Sequence, residues 1–260
     1  MAISDEFDGF LIDLDGVVWV GREPVPGAIE AMRELLERGK PLVFVTNNPG
    51  RPPRTYAERL REAGLEAGEN AVITAGTATA ELAATRAGAG SPTFAIGAPA
   101  FRESAAAAGL ELLDGDAGRD ARVVLVSGHR GFDYEELLTA SLALQRGALL
   151  FATSRDPNLP MPDGLWPGTG SVLAAVETAS GATAEIGGKP EPHLFEAACR
   201  RLPGCERVAM VGDRVASDIE GGRRAGLGTI LVLTGATSRG EADRAEPRPD
   251  HVVDDLSGLL

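Results

Sequence analysis

Cysteine and histidine are scarce in this chain, two and three among 260 residues, and the scarcity excludes several chemistries at once. Cys199 and Cys205 lie at what reads as a helix end without metal-ligand spacing around them. Neither a zinc site nor a disulfide framework is expected, and a reduced, cytoplasmic setting is. His129, His193 and His251 stand apart with no triad or metal spacing, so solvated or capping roles are assigned to them. Positive charge is also short: 25 Lys and Arg face 38 Asp and Glu, a formal net charge of −13. A field of that sign repels nucleic acid and anionic membranes, so neither is an expected partner. An anionic substrate must then be captured by local positive groups or by a metal. Long apolar runs are missing too, and none reaches the length that crosses a bilayer. The opening "MAISDEFDGF" has acids where a signal peptide carries basic residues.

What is present is alternation. "FLIDLD", "PLVFVTNN" and "AVIT" read as buried strands. They are separated by amphipathic helices such as "PGAIEAMRELLERG", whose Ile29, Met32, Leu35 and Leu36 recur at helical spacing. This is the pattern of parallel strands with helical crossovers. From about Ser91 a second set begins with "TFAIG", "ARVVLVSG" and "ALLFATS", and "DYEELLTASLALQRG" contributes a broad apolar face from Tyr134 to Leu144. "RDPNLPMPDGLWPGTG" reads as a loop, in which Trp166 either roofs a pocket or anchors its own segment. Then "AEIGGKPEP", "RVAMVGD" and "GTILVLTG" resume the first pattern. The expected architecture is a discontinuous α/β core, residues 1–78 and 183–260, with an α/β domain inserted at 79–182.

Four polar clusters each follow an apolar strand: "DLDG", "TNN", "GGKP" and "GDRVASD". In open parallel sheets, ligands bind beyond the carboxyl ends of the strands, so the clusters are expected to converge there. Together they suit phosphoryl transfer. A carboxylate can attack phosphorus to give an aspartyl-phosphate, and Asp13 is the candidate nucleophile. Its repulsion from a phosphate dianion calls for Mg²⁺ held by hard oxygen ligands, with Asp213 the distant partner. Asp15 can protonate the leaving oxygen and later take a proton from water. Thr46, Asn47 and Lys189 can hold the phosphoryl oxygens and offset their charge.

These four clusters resemble the signature motifs of the haloacid dehalogenase superfamily in its phosphatase form. "DLDGVVWVGREPVPGA", "FVTNNPGRP", "YEELLTASLALQRGALLFATS", "PDGLWPGTGS", "GGKPEP" and "GDRVASDI" follow in order the NagD-like, or para-nitrophenylphosphatase-like, branch. The resemblance implies a Rossmann-like core with an inserted C2-type cap that excludes bulk water and selects the leaving group. It implies Mg²⁺ bound by Asp13, the backbone carbonyl of Asp15, and Asp213, with Asp218 behind them orienting water or Lys189. The segment "VVWVGREPV" would be a flap. Asn48 joins Asn47 as a donor to phosphate oxygens. Arg51, and Arg155 in the departure "TSRDPN", are further candidates for substrate contact. The implied substrate is a small phosphorylated metabolite of the phosphoglycolate, glycerol phosphate, nucleotide, sugar phosphate or pyridoxal phosphate kind, and a homodimer through the cap is the assembly suggested. Two rival readings use the same aspartate: a phospho-receiver or ligand-sensing module, and a haloacid dehalogenase.

Overall fold

The computed structural model describes residues 2–161 and 163–260, and the chain divides into two compact units. The first comprises the chain up to Thr46, Pro53–Ile73 and Lys189–Leu260; the second comprises Asn47–Pro52 and Thr74–Gly188. The chain thus crosses between units at 46/47, 52/53, 73/74 and 188/189, where the expected boundaries were 78/79 and 182/183.

In chain order the elements begin with β1 (Gly9–Asp13), a two-residue ribbon of β2 (Trp19–Val20) and β3 (Glu23–Pro24), α1 (Ala28–Glu37), β4 (Leu42–Thr46), α2 (Pro53–Glu62), β5 (Val72–Thr74) and α3 (Ala75–Ala87). The second unit continues with β6 (Pro92–Ile96), α4 (Pro99–Ala107), β7 (Glu111–Leu112), β8 (Val123–Val126), α5 (Tyr134–Gln145), β9 (Leu149–Ala152), β10 (Asn158–Met161), β11 (Gly164–Pro167), α6 (Thr169–Ser180) and β12 (Glu185–Ile186). The chain returns through α7 (Pro192–Cys199), β13 (Val208–Gly212), α8 (Glu220–Arg224), β14 (Gly228–Val232), α9 (Arg239–Ala242) and β15 (His251–Val253).

The sheet of the first unit has the order β15-β14-β13-β1-β4-β5. β1 pairs in parallel with β13 on one side, Ile12 opposite Val211, and with β4 on the other, Ile12 opposite Phe44. Strand order therefore reverses between β1 and β13, the kind of place where α/β sheets open a crevice for ligands. Every residue of β1, β4 and β13 is buried. Such strands read as unbroken apolar runs because helices cover both faces. Ile29, Met32 and Leu35 of α1 join that core with Phe10, Ile12 and Phe44. Leu36, counted with the same helical face by its spacing, is exposed. At 100° per residue it lies only 20° from Ile29, on the same stripe, so its exposure reflects its place in the last turn of α1 rather than its angle.

The sheet of the second unit runs β12-β9-β8-β6-β7. Val124 and Val126 of β8 enter one apolar cluster and Val123 and Leu125 another, the alternation that gives a sheet two buried faces. Three local expectations are corrected here. β12, read as a core strand, pairs in parallel with β9 of this second sheet. The Pro-rich loop contains an antiparallel ribbon, β10 with β11, in which Leu159 faces Trp166. α5 buries Thr139, Ala140, Ser141, Ala143 and Leu144, whereas Tyr134 at its first position is exposed. No helix among the described residues is long and apolar enough to cross a membrane.

Candidate active site

Three carboxylates and one ammonium meet at the carboxyl end of the first sheet. Asp13 closes β1, Asp213 follows β13 directly, and Asp218 lies in the single wide helical turn Val215–Ile219. Each offers an oxygen within 4.8 Å of the others, and all three are buried. Lys189, itself 4% exposed, donates from Nζ to Asp13 Oδ1 at 2.7 Å and to Asp218 Oδ1 at 2.6 Å. The second oxygen of Asp218 accepts from the Arg214 amide at 3.0 Å, which fixes that carboxylate behind the lysine.

The charge does not balance. Burial pushes the Asp13 carboxyl up, to about 8, with Asp218 and Asp213 adding to the rise while Lys189 opposes it. Burial and Asp218 raise Asp213 as well. Burial pulls the Lys189 ammonium down, yet Asp13 and Asp218 outweigh it and hold the group above the ordinary lysine range. Among the described residues one buried ammonium, that of Lys189, bonds to this group of three acids, and a buried surplus of negative charge is costly unless paired. In addition, Asp213 Oδ1 is buried with no hydrogen-bond partner. Hard oxygen donors, surplus negative charge and an orphaned buried oxygen are what a small divalent cation requires, so the residues present fit Mg²⁺.

Asp213 is held by groups the sequence reading passed over. The Ala236 amide donates to its Oδ2 at 2.7 Å, and the Thr237 hydroxyl donates to its backbone carbonyl at 2.6 Å. Thr234 Oγ1 donates to the carbonyl of Gly16 at 2.6 Å, tying the loop after β14 to the turn after β1. Two glycines make room. A Cβ on Gly16, whose φ is +92°, would lie 2.3 Å from Asp213 Oδ2, and one on Gly235 would lie 2.0 Å from it. The signal was available in "TGAT", a fifth polar cluster after an apolar strand.

The other expected residues are placed as follows. Asp15 is exposed and accepts from the indole of Trp19 rather than from the buried cluster. Thr46 is buried at the last position of β4. Asn47 and Asn48 come next in the chain, and Asn48 Oδ1 accepts from the Gly50 amide at 2.9 Å. Arg51 is exposed. Arg155, expected to meet substrate, spends its guanidinium in part on Glu177 of α6, at 2.8 and 3.0 Å, and on the Ala184 carbonyl at 3.3 Å. That guanidinium holds Glu177 below the usual carboxylate range. Trp166 donates to Asp163 at 2.8 Å and carries the Arg130 guanidinium 4.6 Å from its ring, which anchors its own segment. Cys199 and Cys205 are free thiols.

Comparison with known proteins gives the family. A haloacid dehalogenase-like hydrolase model matches residues 10–111, and a second model, HAD-hydrolase-like, matches 186–259. The D-glycerol 3-phosphate phosphatase of Mycobacterium tuberculosis is 39% identical over 99% of this chain and 72% of its own length. The 5'-nucleotidase YutF of Bacillus subtilis is 35% identical over 96% of each chain. The crystal structure of the M. tuberculosis glycerol phosphate phosphatase in complex with magnesium superposes with a TM-score of 0.90, at 36% identity over all of this chain and 78% of that one. With a family model at each end and relatives of this identity along its length, the chain belongs to the haloacid dehalogenase-like hydrolases.

Proposed function

We propose that the protein is a Mg²⁺-dependent phosphomonoester hydrolase that carries the phosphoryl group on Asp13. The observation that carries this reading is the Lys189 ammonium bridging Asp13 and Asp218 inside a group of three buried carboxylates. Asp13, Asp213 and the backbone carbonyl of Asp15 would hold Mg²⁺, which supplies the positive charge that lets a phosphate dianion approach a carboxylate. Asp13 attacks phosphorus as the ester oxygen leaves, and Asp15 delivers a proton to that oxygen. Asp15 then takes a proton from water, whose oxygen attacks phosphorus and frees Asp13. The Thr46 hydroxyl, the amides of Asn47 and Asn48, and Lys189 stabilise the equatorial oxygens. Asp218 orients Lys189. Choice of the leaving group is assigned to the second unit, read as the inserted cap. Arg51 remains a candidate for substrate contact, while Arg155 is assigned to holding its loop against α6. The substrate is a small phosphomonoester; the relatives are named for glycerol phosphate and 5'-nucleotides.

Phosphate release from para-nitrophenyl phosphate tests the reading. Release is expected with Mg²⁺ and falls at least about a hundredfold in EDTA. A stable phosphoprotein without turnover would favour a receiver, and halide release from a 2-haloacid without phosphate release would favour a dehalogenase.

Metal and protons should compete for the same carboxylates. Asp13 is raised in the folded protein from 3.8 to about 8, and Asp213 is raised as well. Their contribution to the metal-free fold is present at low pH and is lost as pH climbs toward 8. The melting temperature of EDTA-treated protein is therefore expected to fall between pH 6 and 8. Saturation at 100 times Kd adds about 2.7 kcal/mol, or roughly 5–10 °C for a chain of this size. Scanning calorimetry should show a larger Mg²⁺ increment at pH 8 than at pH 6; an increment that shrinks with rising pH contradicts metal binding at these carboxylates.

A further inference from the structure

Asp15 reaches solvent, yet its carboxylate is held from below. Trp19 is 1% exposed, and its Nε1–H donates to Asp15 Oδ1 at 3.0 Å. The indole is itself clamped. Tyr56 of α2 lies parallel to it, with an interplanar angle of 10° and ring centroids 6.4 Å apart. Arg59, three residues further along α2, places its guanidinium carbon 3.8 Å from the ring centroid and donates to the Gly21 carbonyl at 2.8 Å. The backbone closes the same turn, the Gly16 amide donating to the Trp19 carbonyl at 2.7 Å and the Trp19 amide to Leu14 O at 3.2 Å. A solvent-reaching aspartate on a turn would otherwise sample several rotamers. This one accepts from a rigid ring seated in the core cluster of its unit.

Indole Nε1–H is a donor with no acceptor capacity, so the bond to Oδ1 leaves Oδ2 as the oxygen able to carry a proton. We propose that Trp19 is the positioning residue of the acid–base step, holding Asp15 so that Oδ2 points its proton at the leaving oxygen, with Tyr56 and Arg59 fixing the ring. The proposal rests on the reading of Asp15 as acid and base. In the first half-reaction the Asp13 O–P bond forms, the ester P–O bond breaks, and the proton on Asp15 Oδ2 passes to the departing alkoxide. In the second, Asp15 Oδ2 receives a proton from water as the water oxygen bonds to phosphorus and the Asp13 O–P bond breaks. Trp19 gives up no proton in either half. It acts only through Asp15.

That last property makes the proposal testable by leaving group. Para-nitrophenolate departs without protonation, whereas an alkoxide such as that of glycerol phosphate needs its proton, and kcat/KM reports only the steps through phosphoryl transfer to Asp13. Trp19→Phe keeps an aromatic ring beside Tyr56 and Arg59 and removes the N–H. It is expected to lower kcat/KM for glycerol phosphate about tenfold or more, and for para-nitrophenyl phosphate less than about threefold, with the loss in kcat and not in KM. In an Asp15→Asn background the same substitution should add nothing for either ester. Should Trp19→Phe fail to fold, β-(3-benzothienyl)alanine at position 19 keeps the bicyclic ring and deletes only the N–H. Equal losses on both esters, or an undiminished loss in the Asp15→Asn background, overturn the proposal. If Asp15→Asn separates the two esters and Trp19→Phe does not, Trp19 alone is discarded. If Asp15→Asn itself fails to separate them, the acid role of Asp15 falls, and this proposal with it.

Discussion

Asp13→Asn is expected to lower kcat for phosphomonoester hydrolysis by at least about a thousandfold while leaving the protein as stable as before, or more so. The amide is nearly isosteric with the carboxylate but cannot serve as a nucleophile toward phosphorus. The stability half of this expectation is less obvious and follows from the charge count. Three buried carboxylates share one ammonium, and burial already pushes Asp13 toward its neutral form. Neutralising it relieves repulsion from Asp218 and Asp213, and Lys189 keeps its 2.6 Å bond to Asp218. Circular dichroism and thermal melting beside steady-state kinetics check both halves. A rate within about a hundredfold of wild type would remove Asp13 from the nucleophile's role.

Lys189→Met should fail in the opposite way. It deletes the ammonium in contact with Asp13 and Asp218 while keeping most of the side-chain volume, so the buried acids lose that counter-ion. Removing one partner of a buried pair costs about 3–5 kcal/mol, which for a chain of this size lowers the melting temperature on the order of 10 °C. Activity should fall at least about a thousandfold, because the variant loses both the charge facing the phosphoryl oxygens and the fixed position of Asp13. Mg²⁺ should recover part of the stability by supplying positive charge to the same oxygens, and none of the activity. A variant that melts like wild type without metal would show that Lys189 does not neutralise these carboxylates. The two substitutions touch the two ends of one 2.7 Å bond and are expected to move stability in opposite directions.

Asp13, Asp213 and Lys189 were legible in the sequence because each is a polar residue at or just past the end of an apolar strand, whereas Asp218, in the helical turn five residues beyond Asp213, was marked by the family resemblance. The rule would have found the loop after β14 as well, since "TGAT" follows "ILVL" and supplies the amide that holds Asp213. What stayed hidden depends on pairing at long range or on strands too short for a period. β12 is two residues long and followed at once by two glycines, so nothing local says that Glu185 and Ile186 pair with Phe151 and Ala152. The β10–β11 ribbon contains Pro160, which weakens a strand reading, yet a two-stranded ladder has free edges where proline is tolerated. Arg155 looked available because its partner Glu177 lies 22 residues on, in another element. The bond from Trp19 to Asp15 spans only four residues, but it forms across a turn, and no helical or strand spacing announces it.

Covalent capture of the phosphoryl group by Asp13 is tested most directly in the Asp15→Asn variant with ³²P-labelled para-nitrophenyl phosphate and Mg²⁺. Its leaving group needs no acid, while the second half-reaction lacks its base, so the phosphoenzyme should accumulate. After an acid quench, the predicted result is close to one label per chain, with borohydride converting residue 13 to homoserine and Asp13→Asn abolishing both. Label on another residue, or phosphate released at the wild-type rate with no labelled protein and Asp13 unmodified, would contradict it.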